Sequence, residues 1–272
     1  MRNWNFKVLP CNKLQIAKNL IFNLIGIASI VLVYACNGAN NEPSKITIAA
    51  AANTQYALEP IMEKFTEKTG IGCELVIGAS GKHTAQIMEG APFDIFVSAD
   101  MKYPSDLYKK GLTTAPPEIY AYGKLVLWTM VDGLPISIEN LNDSTIKHIA
   151  LASPKTAPYG QAALEVLKKQ ELLNSLENKL VYGESVAQTN QFIYSKSAEI
   201  GFTAQSVVLS QEMKGKGNWA LIDDSSYTPI SQGVVVINQP ERNNVQAYKF
   251  YKFLFSKEAK IILKDFGYSV DE

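Results

Sequence analysis

The sequence predicts an α/β protein of two lobes, each built as a doubly wound sheet and joined to the other by paired crossover strands. Three observations predict it. A short apolar strand, a small or polar turn and a helix follow one another four times along the chain. Two further apolar strands lack the turn and helix that follow the others, and the chain closes on two amphipathic helical stripes. Strands that alternate with helices specify parallel pairing with helices covering the sheet.

The first unit runs from the strand Ile46 to Ala51, through Ala52-Asn53-Thr54, into a helix reaching about Lys68. Leu58, Ile61, Met62 and Phe65 recur at helical spacing, and Gly70 supplies the usual stop. Pro60 stands near the helix start; its ring and missing N–H suit only a first turn, so the pattern requires a late beginning. The second unit is Cys73 to Ile77, the turn Gly78-Ala79-Ser80-Gly81 and a helix ending at Gly90. A strand over Ile95 to Ser98 and a helix from about Pro104 to Lys110 follow. The third unit is His148 to Ala152, a turn over residues 154–158, and a helix from Tyr159-Gly160 with Ala163, Val166 and Leu167 on its apolar face. The fourth is Leu180 to Tyr182, Gly183-Glu184-Ser185-Val186, and a helix to about Ser195.

The strands that break the alternation are Lys124 to Thr129 and Gly233 to Ile237, and they fit the crossover pair. Lobe I then comprises residues 45–121 and 230–272, and lobe II residues 122–229. The stripes Ala247, Phe250, Tyr251, Leu254 and Ala259, Ile262, Leu263, Phe266 close lobe I, with Ser256 as the N-cap between them.

The N-terminus has a different grammar. Arg2, Lys7, Lys13 and Lys18 precede an uncharged apolar run from Ile21 to Ala35, the pattern of an export signal over residues 1–35. The run is shorter than the ~20 residues of a comfortable membrane span and ends on a small residue before Cys36. It resembles a lipoprotein signal, with Cys36 acylated and residues 36–44 as a polar tether. Removing 35 of 272 residues leaves 237, and the four basic residues removed leave 22 bases against 26 acids, a balance of −4. A mildly acidic domain without a basic block is a poor partner for nucleic acid. Cys73 is the single cysteine besides Cys11 and Cys36, and reads as a small buried hydrophobe. His83 and His148 are too far apart to anchor a metal site by spacing.

The informative feature is the set of four strand-to-helix turns. Each ends at a helix N-terminus whose first N–H groups lack an intrahelical partner, and such ends hold anions without any Lys or Arg. In a two-lobed α/β protein these turns face the crevice. Asn53 and Ser80 stand where a side chain can add a donor, or act as plain N-caps; Gly81 and Gly160 permit close backbone approach. Lys82 and His83, one turn into a helix, are expected to face solvent, and Asp100, Asp223 and Asp224 are ordinary surface acids. No nucleophile motif, zinc motif or phosphate loop occurs, so binding is expected rather than catalysis.

At these turns the sequence resembles the molybdate/tungstate-binding proteins of ABC importers, in the branch with Asn after the first strand. The matching stretches are residues 48–53, 78–81, 90–100, 122–128 and 157–160, with Ser185-Val186-Ala187-Gln188, residues 257–260 and Phe266-Gly267-Tyr268. The resemblance implies a periplasmic-binding-protein-like fold of type II, in which the crossover strands form the hinge. It implies an exported monomer that captures molybdate or tungstate, takes no cofactor, reaches the membrane only through its lipid anchor, and delivers its ligand to a permease. It implies contacts to the oxygens of the anion, not to its metal, from Ala52, Asn53, Ser80, Tyr159 and Val186. Where many relatives carry a ligand-contacting Tyr, this chain has Ala204, which leaves selectivity over sulfate or phosphate open. A phosphoester hydrolase reusing the same helix ends is the alternative from another class, and it would need a nucleophile with a base or several metal ligands.

Overall fold

A computed structural model of the chain describes residues 45–239 and 244–271. The export segment, Cys36 and the tether lie outside these residues. Among them no helix is long and apolar enough to cross a membrane.

Two five-stranded sheets form the frame. In the first, β1 (Lys45–Ala51) pairs in parallel with β2 (Gly72–Gly78) and β3 (Ile95–Val97), while β10 (Ile230–Val236) lies antiparallel between β3 and β4 (Glu118–Gly123). In the second, β6 (Ile149–Ala152) pairs in parallel with β7 (Leu180–Gly183) and β8 (Ile200–Ala204), while β5 (Leu125–Thr129) lies antiparallel between β8 and β9 (Asn218–Leu221). Both sheets are therefore mixed rather than wholly parallel. The reason is reciprocal: β5 and β10 are the strands that arrive from the other sheet, and each runs against its new neighbours.

The two strands expected to pair at the crossover do not pair with each other. Lys124 to Thr129 belongs to the second sheet, and the strand ending at Val236 takes β4 as its partner in the first. Only Lys124 separates β4 from β5, so the pairing left behind in the first sheet falls to the strand before the crossing, which the apolar pattern does not single out.

Burial explains why the strands read as near-continuous apolar runs. Every residue of β5 and β8 is buried because helices cover both faces. On the first sheet Ile46, Ile48 and Ala50 share a face with Leu58, Ile61 and Phe65 of α1 (Gln55–Thr69), Phe250 and Leu254 of α8 (Val245–Leu254) and Leu263 of α9 (Lys257–Asp265). The Phe65 and Phe250 rings meet edge to face at 5.2 Å, a favourable geometry beyond area alone. Ala49 points the other way, toward Phe96 and Leu107 of α3 (Lys102–Lys109), as the two-residue period of a strand requires. Ser256 caps α9 by accepting from the Ala259 N–H at 3.3 Å.

Pro60 breaks its expectation. The helix does not begin late: a 3-10 turn over Ala52–Thr54 leads into α1 at Gln55, so Pro60 sits inside the helix. Ala57, Leu58, Ile61 and Phe65 on that helix are all fully buried, and their packing outweighs one lost backbone bond. Gly70 ends the helix as expected, left-handed at φ 70° with its N–H on the Thr66 carbonyl.

Candidate functional site

The carboxyl ends of β1, β2, β6 and β7 run into helix starts that share one small cavity of about 10 Å³. Room of ~10–15 Å³ holds about one water, so this one suits nothing larger than a small ion. None of the described residues lining it bears a charged side chain. The cavity brings together all five expected positions, Ala52, Asn53 and Ser80 from the first sheet and Tyr159 and Val186 from the second.

Each helix start is built differently. α2 (Ser80–Met88) opens on Ser80 with no side-chain cap, its lead-in residue Ala79 being extended. α4 (Pro158–Lys169) opens on Pro158, whose fixed φ suits a first helical position and whose missing N–H costs nothing there. α6 (Val186–Tyr194) is capped by Ser185, which accepts from the Gln188 N–H. The amides of Ser80, Tyr159 and Val186 thus lie in first turns, where no intrahelical carbonyl can reach them. Each also stands at the positive end of a helix dipole.

The plain N-cap reading fails for Ser80 and Asn53. Ser80 is fully buried, and its Oγ accepts from the Ala99 N–H at 3.0 Å, tying the turn after β2 to the end of β3. The hydroxyl proton stays available to the cavity. Asn53 is 1 % exposed. Its Nδ2 donates to Gln232 Oε1 at 3.1 Å and to the Tyr268 hydroxyl at 3.2 Å, while its Oδ1 is buried without a partner. Its carbonyl accepts from Ser206 Oγ at 2.7 Å and from the Tyr268 hydroxyl at 2.9 Å. Gln232 continues the network, accepting from the Tyr120 hydroxyl at 2.7 Å and donating to the Tyr159 oxygen at 3.3 Å. Burial raises the Tyr120 and Tyr159 phenols well above their ordinary range and takes Tyr268 to about 12, so all three are neutral hydroxyls.

Several neighbours take other roles than expected. Gly81 and Gly160 are small because of the fold: a Cβ on Gly81 would fall 2.8 Å from the Tyr103 hydroxyl, and one on Gly160 would collide with the Ala152 carbonyl oxygen. Lys82 does face solvent, 3.6 Å from Glu184. His83 does not: it is buried, its Nε2 at 3.1 Å from the Ala50 carbonyl and its Nδ1 at 3.1 Å from Gln86 Oε1. Burial lowers its pKa and favours the neutral ring. Asp100 is half-buried and accepts from the Tyr103 N–H and Ser98 Oγ, with burial pushing its carboxyl up. Asp223 accepts from the Ser225 N–H, and Asp224 pairs with Lys124. Cys73 is a half-buried free thiol pushed up to about 11. Ala204 is fully buried where β8 ends.

The crevice is shut by contacts that join the two sheets. The Gly81 N–H donates to the Thr156 carbonyl at 2.9 Å, and the Tyr103 hydroxyl donates to the Lys155 carbonyl at 3.0 Å. A wider groove lined by Tyr56, Glu59, Glu63 and Glu212 carries three carboxylates, the wrong sign for an anion. Sequence reasoning missed Gln232, Ser206 and the role of Tyr268. The available signal was an uncharged amide, Gln232, at the head of the apolar strand ending Val234-Val235-Val236.

The description "bacterial extracellular solute-binding protein" fits the family model that matches residues 46–269. The molybdate-binding protein ModA of Azotobacter vinelandii is 35% identical over 232 residues, covering 84% of this chain and 91% of that protein. Its counterpart of the same name in Rhodobacter capsulatus is 35% identical over 225 residues, covering 82% and 88%. The solved periplasmic molybdate-binding protein of Azotobacter vinelandii superposes with a TM-score of 0.79 at 31% identity, covering 84% of this chain and all of that one. With the match running through both sheets and all four helix starts, the chain belongs to the family of bacterial extracellular solute-binding proteins.

Proposed function

We propose that the chain captures a tetrahedral dianion, molybdate or tungstate, outside the cytoplasm and delivers it to the permease of an ABC importer. The observation that carries this reading is the cavity itself, small, uncharged and ringed by the first residues of helices from both sheets. Backbone N–H groups from Ala52, Tyr159 and Val186, with the Asn53 amide and the Ser80 hydroxyl, supply donors converging on one ion. Donors alone favour a fully deprotonated oxyanion, and the names of the relatives at 35% identity support molybdate over other dianions. Residues 45–121 with 230–272 form one lobe and residues 122–229 the other. They hinge where the chain crosses between sheets, and the ligand stabilises the closed arrangement by bridging them. Acylated Cys36 tethers the monomer to the membrane, and mass spectrometry of the mature protein tests that directly.

A second reading has one specific observation behind it. The unpartnered Oδ1 of Asn53, a residue that lines the cavity, is an acceptor, and an acceptor turned toward the ligand suits a protonated oxyanion such as hydrogen phosphate. Calorimetric titration with molybdate, tungstate, sulfate and phosphate separates the readings. Molybdate or tungstate should bind one to one and more tightly than sulfate, with phosphate weakest. Phosphate binding tightest replaces the first reading with the second, and sulfate binding tightest removes the molybdate assignment.

A further inference from the structure

We propose that Gln232 is a positioning residue that sets which edge of the Asn53 amide meets the ligand, the two amides turning together so that a bound oxyanion faces Nδ2. This rests on the reading that an oxyanion fills the cavity. In the structure the Nδ2 edge of Asn53 is spent on Gln232 and Tyr268, and the remaining edge is a buried, orphaned acceptor. An orphaned acceptor beside a dianion is the least favourable edge the amide can offer.

A half-turn of both carboxamides, which exchanges oxygen and nitrogen, relieves this with the shape of each group preserved, because oxygen and NH2 are nearly equal in size. Gln232 Nε2 then donates to Asn53 Oδ1 and to the Tyr120 oxygen, across the same 3.1 Å and 2.7 Å separations. The Tyr159 hydroxyl donates to Gln232 Oε1, and the Tyr268 hydroxyl turns to Asn53 Oδ1, while Ser206 still serves the Asn53 carbonyl. Both carboxamide oxygens then have donors and the Asn53 NH2 is free for the anion, at the cost of the acceptor that the Tyr120 hydroxyl now uses. Neither amide can turn alone, since that sets two NH2 groups or two oxygens against each other.

The surroundings favour this role over space filling. Gln232 is fully buried, beside a bulge where β10 changes register against β4, and bulges re-aim side chains. A Cβ on Gly123 would collide with Gln232 Nε2 and the Tyr159 hydroxyl, so Gly123 leaves the space in which they meet. Tyr159 also lies in the first turn of the helix that lines the cavity from the second sheet, so Gln232 touches both banks of the site.

The test is a double-mutant cycle on the full chain with molybdate as the probe. In Gln232→Glu the carboxylate can only accept, which locks Asn53 Oδ1 toward the cavity. Binding should weaken on the order of 30-fold or more. In the Asn53→Ala background the same change should cost on the order of 10-fold less, the remainder being the repulsion of the added charge, because the residue acts through Asn53. Equal losses in both backgrounds, or an unweakened and folded Gln232→Glu, would overturn the proposal. Should that variant melt early, Gln232→Met carries the cycle, with an expected loss on the order of 5-fold confined to the Asn53-containing protein. In the unaltered protein, the side-chain NH2 resonances of Asn53 and Gln232 should shift together on adding molybdate; resonances that both stay in place contradict a joint turn. Failure of the unaltered protein to bind molybdate at all would remove the functional reading itself, an outcome distinct from these.

Discussion

The two banks of the cavity are made alike and chemically armed differently. Each is a pair of helix starts at the ends of parallel strands, yet the first bank presents side chains, Asn53 and Ser80, each anchored by its own hydrogen bonds. The second presents backbone: Pro158 opens one helix, Ser185 caps the other without lining the cavity, and the N–H groups of Tyr159 and Val186 remain. A bank of side chains can be edited by substitution, whereas a bank of amides changes only if the backbone moves.

That contrast can be broken most severely with Asn53→Asp. A carboxylate facing a dianion should cost about 3 kcal/mol or more in binding, a loss of at least ~100-fold measured by calorimetry. The corresponding attack on the second bank is Gly160→Ala. Its Cβ would meet the Ala152 carbonyl, so the helix must shift, and a thermal or denaturant melt should show about 2–3 kcal/mol lost, with binding lost alongside. Ser80→Ala removes one donor to the anion and leaves the Ala99 N–H without its partner, and should weaken binding by about 1.5–2 kcal/mol.

Mild acid should act through a buried group of the first bank. His83, packed behind Ala50, is held neutral with a lowered pKa. The unfolded chain therefore takes up its proton first as pH falls, so this contribution is full above the ordinary His pKa of ~6.5 and is lost below it. Melting followed from neutral to mildly acidic pH should show this loss, and His83→Gln should flatten it. The smallest effect belongs to Val186→Ala: its contact is an amide, so affinity should change less than about 3-fold. A large loss there would mean that the second bank also works through side chains.

What the sequence made legible was local. The four strand-turn-helix units announce themselves within about twenty residues each, and the site residues at their turns came with them. The network behind the site was not legible, since Asn53 meets Gln232 and Tyr268 across 179 and 215 positions. No spacing rule reaches that far. His83 hid for a related reason: helical position put it one turn in, but only the tertiary fold turns it under β1. The crossings fall at Lys124 and before Ile230, close to where the apolar pattern puts them, but β10 takes β4 as its partner because β5 already belongs to the second sheet.

The central claim is that donors from both banks surround one ion, and a crystal grown with tungstate tests it directly through the anomalous signal of the metal. The account predicts a single peak in the cavity, with anion oxygens at hydrogen-bonding distance from Asn53, Ser80, Tyr159 and Val186. A peak outside that cavity, or one contacting a single bank, would contradict it.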